Sequence, residues 1–336
     1  MLSTTFTLLA TALLCSAAPV DKRSTSGAVI TTDFPDPALV SVNNKWFAFG
    51  TQSLYDYKNI HIQVASSSDF NSWSLHEGQD ALPNLPGWVD QSNPLVWAPD
   101  VMHLVSWSYP FDREPTRLTH QQDDGTFVMY FSATTNTGGN GNYHCIGTAT
   151  SSNVEGPYNP SPDPWYCPVD QGGAIDAAGF RDADGTWYIT YKIDGNAKGN
   201  GGICNNGNAP IVNTPLIIQK VGADGISKQG SPSTIMNLQS SDGPDIEAPA
   251  MIRRGSTYIL MFSSHCYSTN SYDTLYATSN SPTGGFVRGG SLLGGGRGGL
   301  DASLDATHVA FHGLQGDGRR FMYTGTLNIN GNTVTL

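Results

Sequence analysis

One short pattern recurs five times along the 336 residues, and few folds accommodate it. A turn rich in Gly, Asn or Asp precedes an aromatic residue, and an alternating apolar run ending in small hydroxyl side chains follows. The copies begin at Asn44, Asp124, Asp184, Gly255 and Asp317, and their leading aromatics are Trp46, Phe127, Trp187, Tyr258 and Phe321. An Asp-Gly pair, which opens the copies at Asp124, Asp184 and Asp317, signals a β-hairpin when an alternating apolar run follows it. The aromatics stand ~60–80 residues apart, which is room for one four-stranded antiparallel blade and its loops.

A weaker repeat trails the first. Val64–Ser67, Thr148–Ser151 and Tyr276–Ser279 each precede a turn and read as the third strand of a blade. No window of helical length shows a clean 3.6-residue period flanked by caps. The repeats therefore predict an all-β chain, a five-bladed β-propeller forming a single domain over residues 24–336. Five copies in register make a double β-sandwich the poorer account. The connection Leu104–Gln122 reads as an insertion in the second blade. Charged residues make up 13% of the chain, against ~25% in an average domain, as turn-rich strands would have it. The net charge of −11 argues against nucleic acid or an anionic membrane as partner, and it suits a neutral polymer such as a polysaccharide.

The N-terminus reads as an address. Residues 1–18 carry a short apolar run (Phe6, Leu8, Leu9, Leu13, Leu14) that closes on small residues and is too short to span a bilayer. Although no cation precedes it, this is read as a secretory signal peptide, with a pro-segment at residues 19–23 ending in the dibasic Lys22-Arg23. A secreted, extracellular protein is expected. Beyond Cys15 four cysteines remain, which in an oxidising compartment implies two disulfides with three possible pairings. The blade organisation favours Cys145–Cys167 and Cys204–Cys266, the second of which would staple the Gly/Asn-rich segment 192–213 to the fourth blade.

Each repeat follows a segment that would form the innermost strand, lining the central axis. Asp36 lies ten residues before Trp46, Asp176 eleven before Trp187, and Glu247 eleven before Tyr258. In symmetry-related blades such positions converge at one end of the axis, so three carboxylates from distant segments should share one funnel. Acids crowded into an apolar-walled pocket shift one another's pKa values, an arrangement suited to acid–base catalysis. For any single acid beside Pro or Ala a turn role is as good a reading; three at matched offsets favour function. A calcium cluster is the other use of such carboxylates.

The segments Asp33-Phe34-Pro35-Asp36-Pro37, Trp97-Ala98-Pro99-Asp100, Ala174-Ile175-Asp176-Ala177 with Phe180 and Asp182, and Glu247-Ala248-Pro249 resemble, in order, the signature blocks of glycoside hydrolase family 43. The resemblance spans nearly the whole chain beyond the leader. It implies a five-bladed propeller and an inverting mechanism on arabinose- or xylose-containing polysaccharide. By motif, Asp36 is similar to the general base, Asp176 to the acid that tunes the pKa and orients the sugar, and Glu247 to the general acid. Trp97 and Asp100 would line the site, Trp97 as a stacking face for a sugar, with Phe34 beside the base; Ser263, Ser264 and His265 would reach the rim. Many members carry Gly-Pro-Gly-His in the last blade. Here Gly295-Gly296-Arg297-Gly298-Gly299 stands instead, with Gly299 where the His belongs. No metal ligand is assigned on that account, and no cofactor is expected. His308 and His312, on the next strand, are read as structural, and Arg297 as a loop cation able to face the funnel.

The leading expectation is an α-L-arabinofuranosidase or arabinanase acting as a monomer on polysaccharide or oligosaccharide. A β-xylosidase is the nearest rival, and a propeller that binds glycan without cleaving it stands further off.

Overall fold

A computed structural model describes residues 27–104, 125–137 and 143–336. Five antiparallel sheets of three or four strands make up the blades of a β-propeller. The first holds β1 (Ala38–Val42), β2 (Lys45–Gly50), β3 (Gln63–Ser67) and β4 (Ser74–Leu75), and the second β5 (Trp97–Leu104), β6 (Thr126–Thr134), β7 (His144–Ser151) and β8 (Asn159–Pro160). The third holds β9 (Ala174–Arg181), β10 (Trp187–Ile193), β11 (Leu216–Val221) and β12 (Lys228–Met236). β13 (Ile246–Arg254), β14 (Thr257–Ser264), β15 (Asp273–Ser279) and β16 (Val287–Leu293) form the fourth. The fifth has β17 (Arg297–Ala302), β18 (His308–Leu314) and β19 (Arg320–Thr326).

The weaker repeat falls on β3, β7 and β15, as expected. Four copies of the main repeat fall on second strands, but the fifth, at Asp317, falls on β19, one strand further out. The Asp-Gly turn in that blade joins β18 to β19, whereas β17 reaches β18 through Ser303–Thr307, a turn the pattern does not cover. The blade gains its outer edge from the other end of the sequence. Val29 N–H donates to the Met322 carbonyl (2.8 Å), Phe34 N–H to the Arg320 carbonyl (2.8 Å), and Arg320 N–H to Asp33 Oδ1 (2.8 Å). Residues 29–34 thus close the ring. The leader expected at residues 1–23 and most of the insertion expected in the second blade lie outside the described residues; the segment falls between β5 and β6 in the sequence.

The core is divided among the blade interfaces. Phe127, Met129 and Phe131 of β6 pack toward the first blade, while Val128 and Tyr130 pack toward the third. β14 does the same, with Leu260 and Phe262 facing the third blade and Ile259 and Met261 the fifth. A second strand is therefore buried on both faces, so its run is apolar throughout rather than at every other residue. Both disulfides join as expected, Cys145 to Cys167 and Cys204 to Cys266.

A bulge recurs near the start of the inner strands. In β5, β9, β13 and β17 two residues stand opposite one on the neighbouring strand: Ala98-Pro99, Asp176-Ala177, Ala248-Pro249 and Gly299-Leu300. Asp36-Pro37 occupies the matching place just ahead of β1. The first residue of each pair is left-handed, with φ of 49° at Asp36, 42° at Ala98, 58° at Asp176, 50° at Ala248 and 56° at Gly299. Such a conformation is costly for a residue with a Cβ and persists where surrounding contacts enforce it. Here those contacts cross between blades. Ala98 N–H donates to Thr51 Oγ1 (2.8 Å), Asp176 N–H to Ser132 Oγ (3.1 Å) and Gly299 N–H to Ser263 Oγ (3.0 Å), each acceptor lying on the preceding blade. Bulges next to active sites re-aim side chains, and these turn one end of the inner ring toward a single cavity.

Candidate active site

That cavity holds about 680 Å³ and is lined by Asp36, Asp176 and Glu247 together. The three acids do not share one register. Asp36 and Asp176 occupy the same bulge position, whereas Glu247 sits one residue earlier, the place that Trp97 holds in the second blade. The shared spacing of eleven residues to the downstream aromatic hides this one-residue offset between Asp176 and Glu247.

Asp36 is gripped from three sides. Thr51 Oγ1 donates to Oδ2 at 2.6 Å, Arg320 Nη1 lies 3.4 Å from both oxygens, and His312 Nδ1 lies 3.1 Å from Oδ1 and from the backbone nitrogen. Burial works to push this carboxyl up, but the Arg320 charge, then His312 and Thr51, outweigh it and hold Asp36 well below the usual carboxylate range. Asp36 is a fixed anion at any working pH.

Glu247 receives a donor on each oxygen. Lys192 Nζ is 3.0 Å from Oε2, and the Tyr272 hydroxyl donates to Oε1 at 2.9 Å. Asp176 lies between the two walls and accepts Ala248 N–H on Oδ2 at 2.9 Å. Burial first, and then the negative charge of Glu247, push Asp176 well above the usual carboxylate range, with Lys192 pulling the other way. The cavity thus brings together an ionised Asp36 and an Asp176 whose burial favours the protonated form.

Of the other expected residues, Trp97 lines the cavity, half-buried and stacked on His144 with ring centroids 3.6 Å apart. Phe34 does not. It is fully buried between the first and fifth blades with its ring against Gly50, because the left-handed turn at Asp36 breaks the alternation that would otherwise put residues 34 and 36 on one face. Asp100 also misses the cavity. The bulge at Ala98-Pro99 turns its carboxylate down the axis, where Oδ2 accepts Gly179 N–H at 2.8 Å in a chamber of about 50 Å³ shared with Asp301. Burial and the Asp301 charge push Asp100 well above the carboxylate range. Ser263 and Ser264 are buried rather than at the rim, and Arg297 is exposed on the outside over Tyr323.

Several residues of the site carry no sequence motif of their own. His312, taken for structural, reaches Asp36 because residue 299 has no side chain: a Cβ there would stand 2.7 Å from the His312 ring and 2.8 Å from Asp36 Oδ1. Lys192, Asp194 and Asp245 line the wall around Glu247, and Tyr55 and Tyr267, both substantially exposed, stand at the mouth. Tyr267 packs its ring 4.9 Å from the Arg320 guanidinium. Among the described residues no group of three or more His, Cys, Asp or Glu side chains is placed to hold a metal ion.

The sequence pattern of Glycosyl hydrolases family 43 matches residues 26–289. A β-D-galactofuranosidase of Aspergillus niger is 26% identical over 258 residues, 75% of this chain, and the alignment spans 63% of that relative's length. Among solved structures, a thermostable family-43 glycoside hydrolase superposes with a TM-score of 0.69 at 21% identity, covering 93% of this chain and 95% of that one. An arabinanase of Bacillus subtilis gives 0.65 at 20% identity, with 91% and 97% covered. A family-43 enzyme of Xanthomonas citri in complex with xylotriose gives 0.65 at 17% identity, with 93% of each chain covered. With its blades, its three converging acids and a match across most of its length, the chain belongs to glycoside hydrolase family 43, a family of inverting enzymes.

Proposed function

We propose that this chain is a secreted inverting exo-glycosidase that removes α-L-arabinofuranosyl units from polysaccharide or oligosaccharide. One observation carries the catalytic assignment: Asp36, held ionised, and Glu247, next to the proton-holding Asp176, open from opposite blades into one cavity. Glu247 is the general acid and gives its proton to the glycosidic oxygen as the C1–O bond breaks. Asp36 is the general base and takes a proton from water, whose oxygen attacks C1 from the opposite face. An inverting pair stands ~6.5–9.5 Å apart to admit that water. Asp176 is the third carboxyl, beside the acid, where it orients the sugar. Trp97, Tyr55 and Tyr267 supply ring faces for sugar units.

The A. niger relative supports a furanoside, and β-D-galactofuranose has the ring configuration of α-L-arabinofuranose with a hydroxymethyl group added. Galactofuranoside is therefore the second reading, ahead of β-xyloside. Two disulfides fit an oxidising compartment, in keeping with removal of residues 1–23 as a leader.

Hydrolysis of 4-nitrophenyl α-L-arabinofuranoside, β-D-galactofuranoside and β-D-xyloside, together with arabinan and xylan, ranks the substrates. Proton NMR of the first-formed sugar should show the inverted anomer. Glu247→Gln should lose activity on natural glycosides by ~10²-fold or more, yet retain much of it on a nitrophenyl glycoside, whose leaving group needs no proton. Equal loss on both refutes the acid assignment, and no turnover of any substrate leaves a glycan-binding propeller.

A further inference from the structure

The inner ring has a second equivalent position, directly opposite the residue that precedes each bulge. Ser132 pairs with Trp97, Lys192 with Ile175, Ser263 with Glu247 and His312 with Gly298, and Thr51 takes the same place in the first blade. In four blades this side chain stands beside the next blade's bulge nitrogen: Thr51, Ser132 and Ser263 accept its N–H through a hydroxyl oxygen, and His312 faces it through Nδ1. A lysine has no acceptor to offer. In the third blade the bulge N–H of Ala248 turns to Asp176 instead, and Lys192 reaches past it to Glu247.

Lys192 is fully buried, and among the described residues the contacts of its ammonium are to carboxylates. Its Nζ lies 3.0 Å from Glu247 Oε2, 3.2 Å from Asp194 Oδ1 and 3.6 Å from Asp245 Oδ2. Strand alternation explains the cluster, because Lys192 and Asp194 leave the end of β10 on one side, as Asp245 and Glu247 enter β13. We infer that Lys192 is a positioning residue of the hydrolytic site, a buried cation that fixes the Glu247 carboxyl and through which Asp194 and Asp245 act on that acid. The inference rests on Glu247 being the acid.

The groups facing this carboxyl from the packed elements are Lys192 and Asp194 of the third blade, Asp245 beside it, Tyr272 ahead of β15 and Asp176 of β9. Asp36, His312 and Arg320 complete the set across the cavity. Against burial, the surrounding carboxylates keep Lys192 charged far above the ordinary lysine range. Burial, together with Glu247 and Asp194, raises Asp245 to about 7 despite Lys192, and Asp245 Oδ1 has no hydrogen-bond partner. A lysine in contact favours the ionised form of Glu247, and an ionised Asp245 opposes it. The two should therefore move the acid in opposite directions.

Activity needs the protonated acid, so the alkaline limb of the pH–rate profile reports its proton loss. Lys192→Met removes the cation and should carry that limb to higher pH by about one unit, with kcat lowered more than KM is changed. Lys192→Thr, which installs the hydroxyl side chain the first blade uses, should shift the limb the same way and guards against misfolding of the methionine variant. Asp245→Asn removes a negative neighbour and should carry the limb to lower pH. Opposite shifts support the inference. Limbs unmoved in Lys192→Thr and Asp245→Asn, in folded protein whose Glu247→Gln variant still shows leaving-group dependence, overturn it and leave the acid assignment standing. Loss of that leaving-group dependence instead counts against Glu247 itself.

Discussion

Glycine 299 shows how much of the site depends on one missing side chain. The family resemblance places it where many members carry a histidine, while His312, on the next strand, reads as structural. In three dimensions the imidazole does arrive at the axis, from β18 rather than from the bulge, and the absent Cβ is what admits it. Gly299→Ala would put a methyl group 2.7 Å from that ring and 2.8 Å from Asp36 Oδ1, at a φ of +56° that alanine tolerates poorly. Displacing Asp36, the proposed base, by about an ångström should lower kcat on the order of 10²-fold, with the melting temperature reduced far less. Steady-state kinetics beside a thermal melt checks both. Asp36, Asp176 and Glu247 were legible because acids flanked by small or turn-forming residues stand out in a chain with few charges. Lys192 was not. Its signal was a lone cation in the otherwise uncharged run Trp-Tyr-Ile-Thr-Tyr-Lys-Ile, tolerable in a buried strand only where carboxylates await it.

At the level of elements, hairpin chemistry made most strands readable and left the bulges hidden. The turn residues and apolar runs mark second and third strands, whereas the two-for-one pairing at Ala98-Pro99 or Ala248-Pro249 has no compositional mark beyond a proline. That unseen residue explains why Asp100 points down the axis and why Glu247 stands where a tryptophan does two blades earlier. The segment between β10 and β11 is more revealing. It brings Asp194, Asn196, Ala197 and Asn205 to the cavity, and Cys204, within it, is tied to Cys266 after β14. Replacing both cysteines by serine should free that wall while leaving the blades assembled. KM for an oligosaccharide should rise several-fold, kcat on a small nitrophenyl glycoside should change little, and stability should fall by ~2–4 kcal/mol in denaturant melts.

Across the whole molecule, buried carboxyls set the pH range in which the propeller is most stable. Burial raises Asp301 to about 6 and, against the pull of Lys192, Asp245 to about 7, from ordinary values of 3.8, so the folded state holds protons that the unfolded chain releases. Between roughly pH 4 and 7 stability therefore declines as pH rises. Asp36 acts in the opposite sense: its depressed value contributes stability that is lost as pH falls below about 4. The melting temperature should peak between about pH 4 and 5 and be lower at pH 8; a scan that rises monotonically to pH 8 would contradict this balance. The ring closure bears on when activity is acquired. Arg320, one of the partners that keep Asp36 ionised, follows it by 284 residues, and the strand edge against which residues 29–34 lie is made by the same segment. On the ribosome Asp36 emerges early and waits with Thr51 beside it, lacking Arg320 and His312 until the fifth blade follows. A nascent chain can fold three or four blades and still be inert, so the enzyme becomes competent in a single late event, when the seam between its first and fifth blades closes.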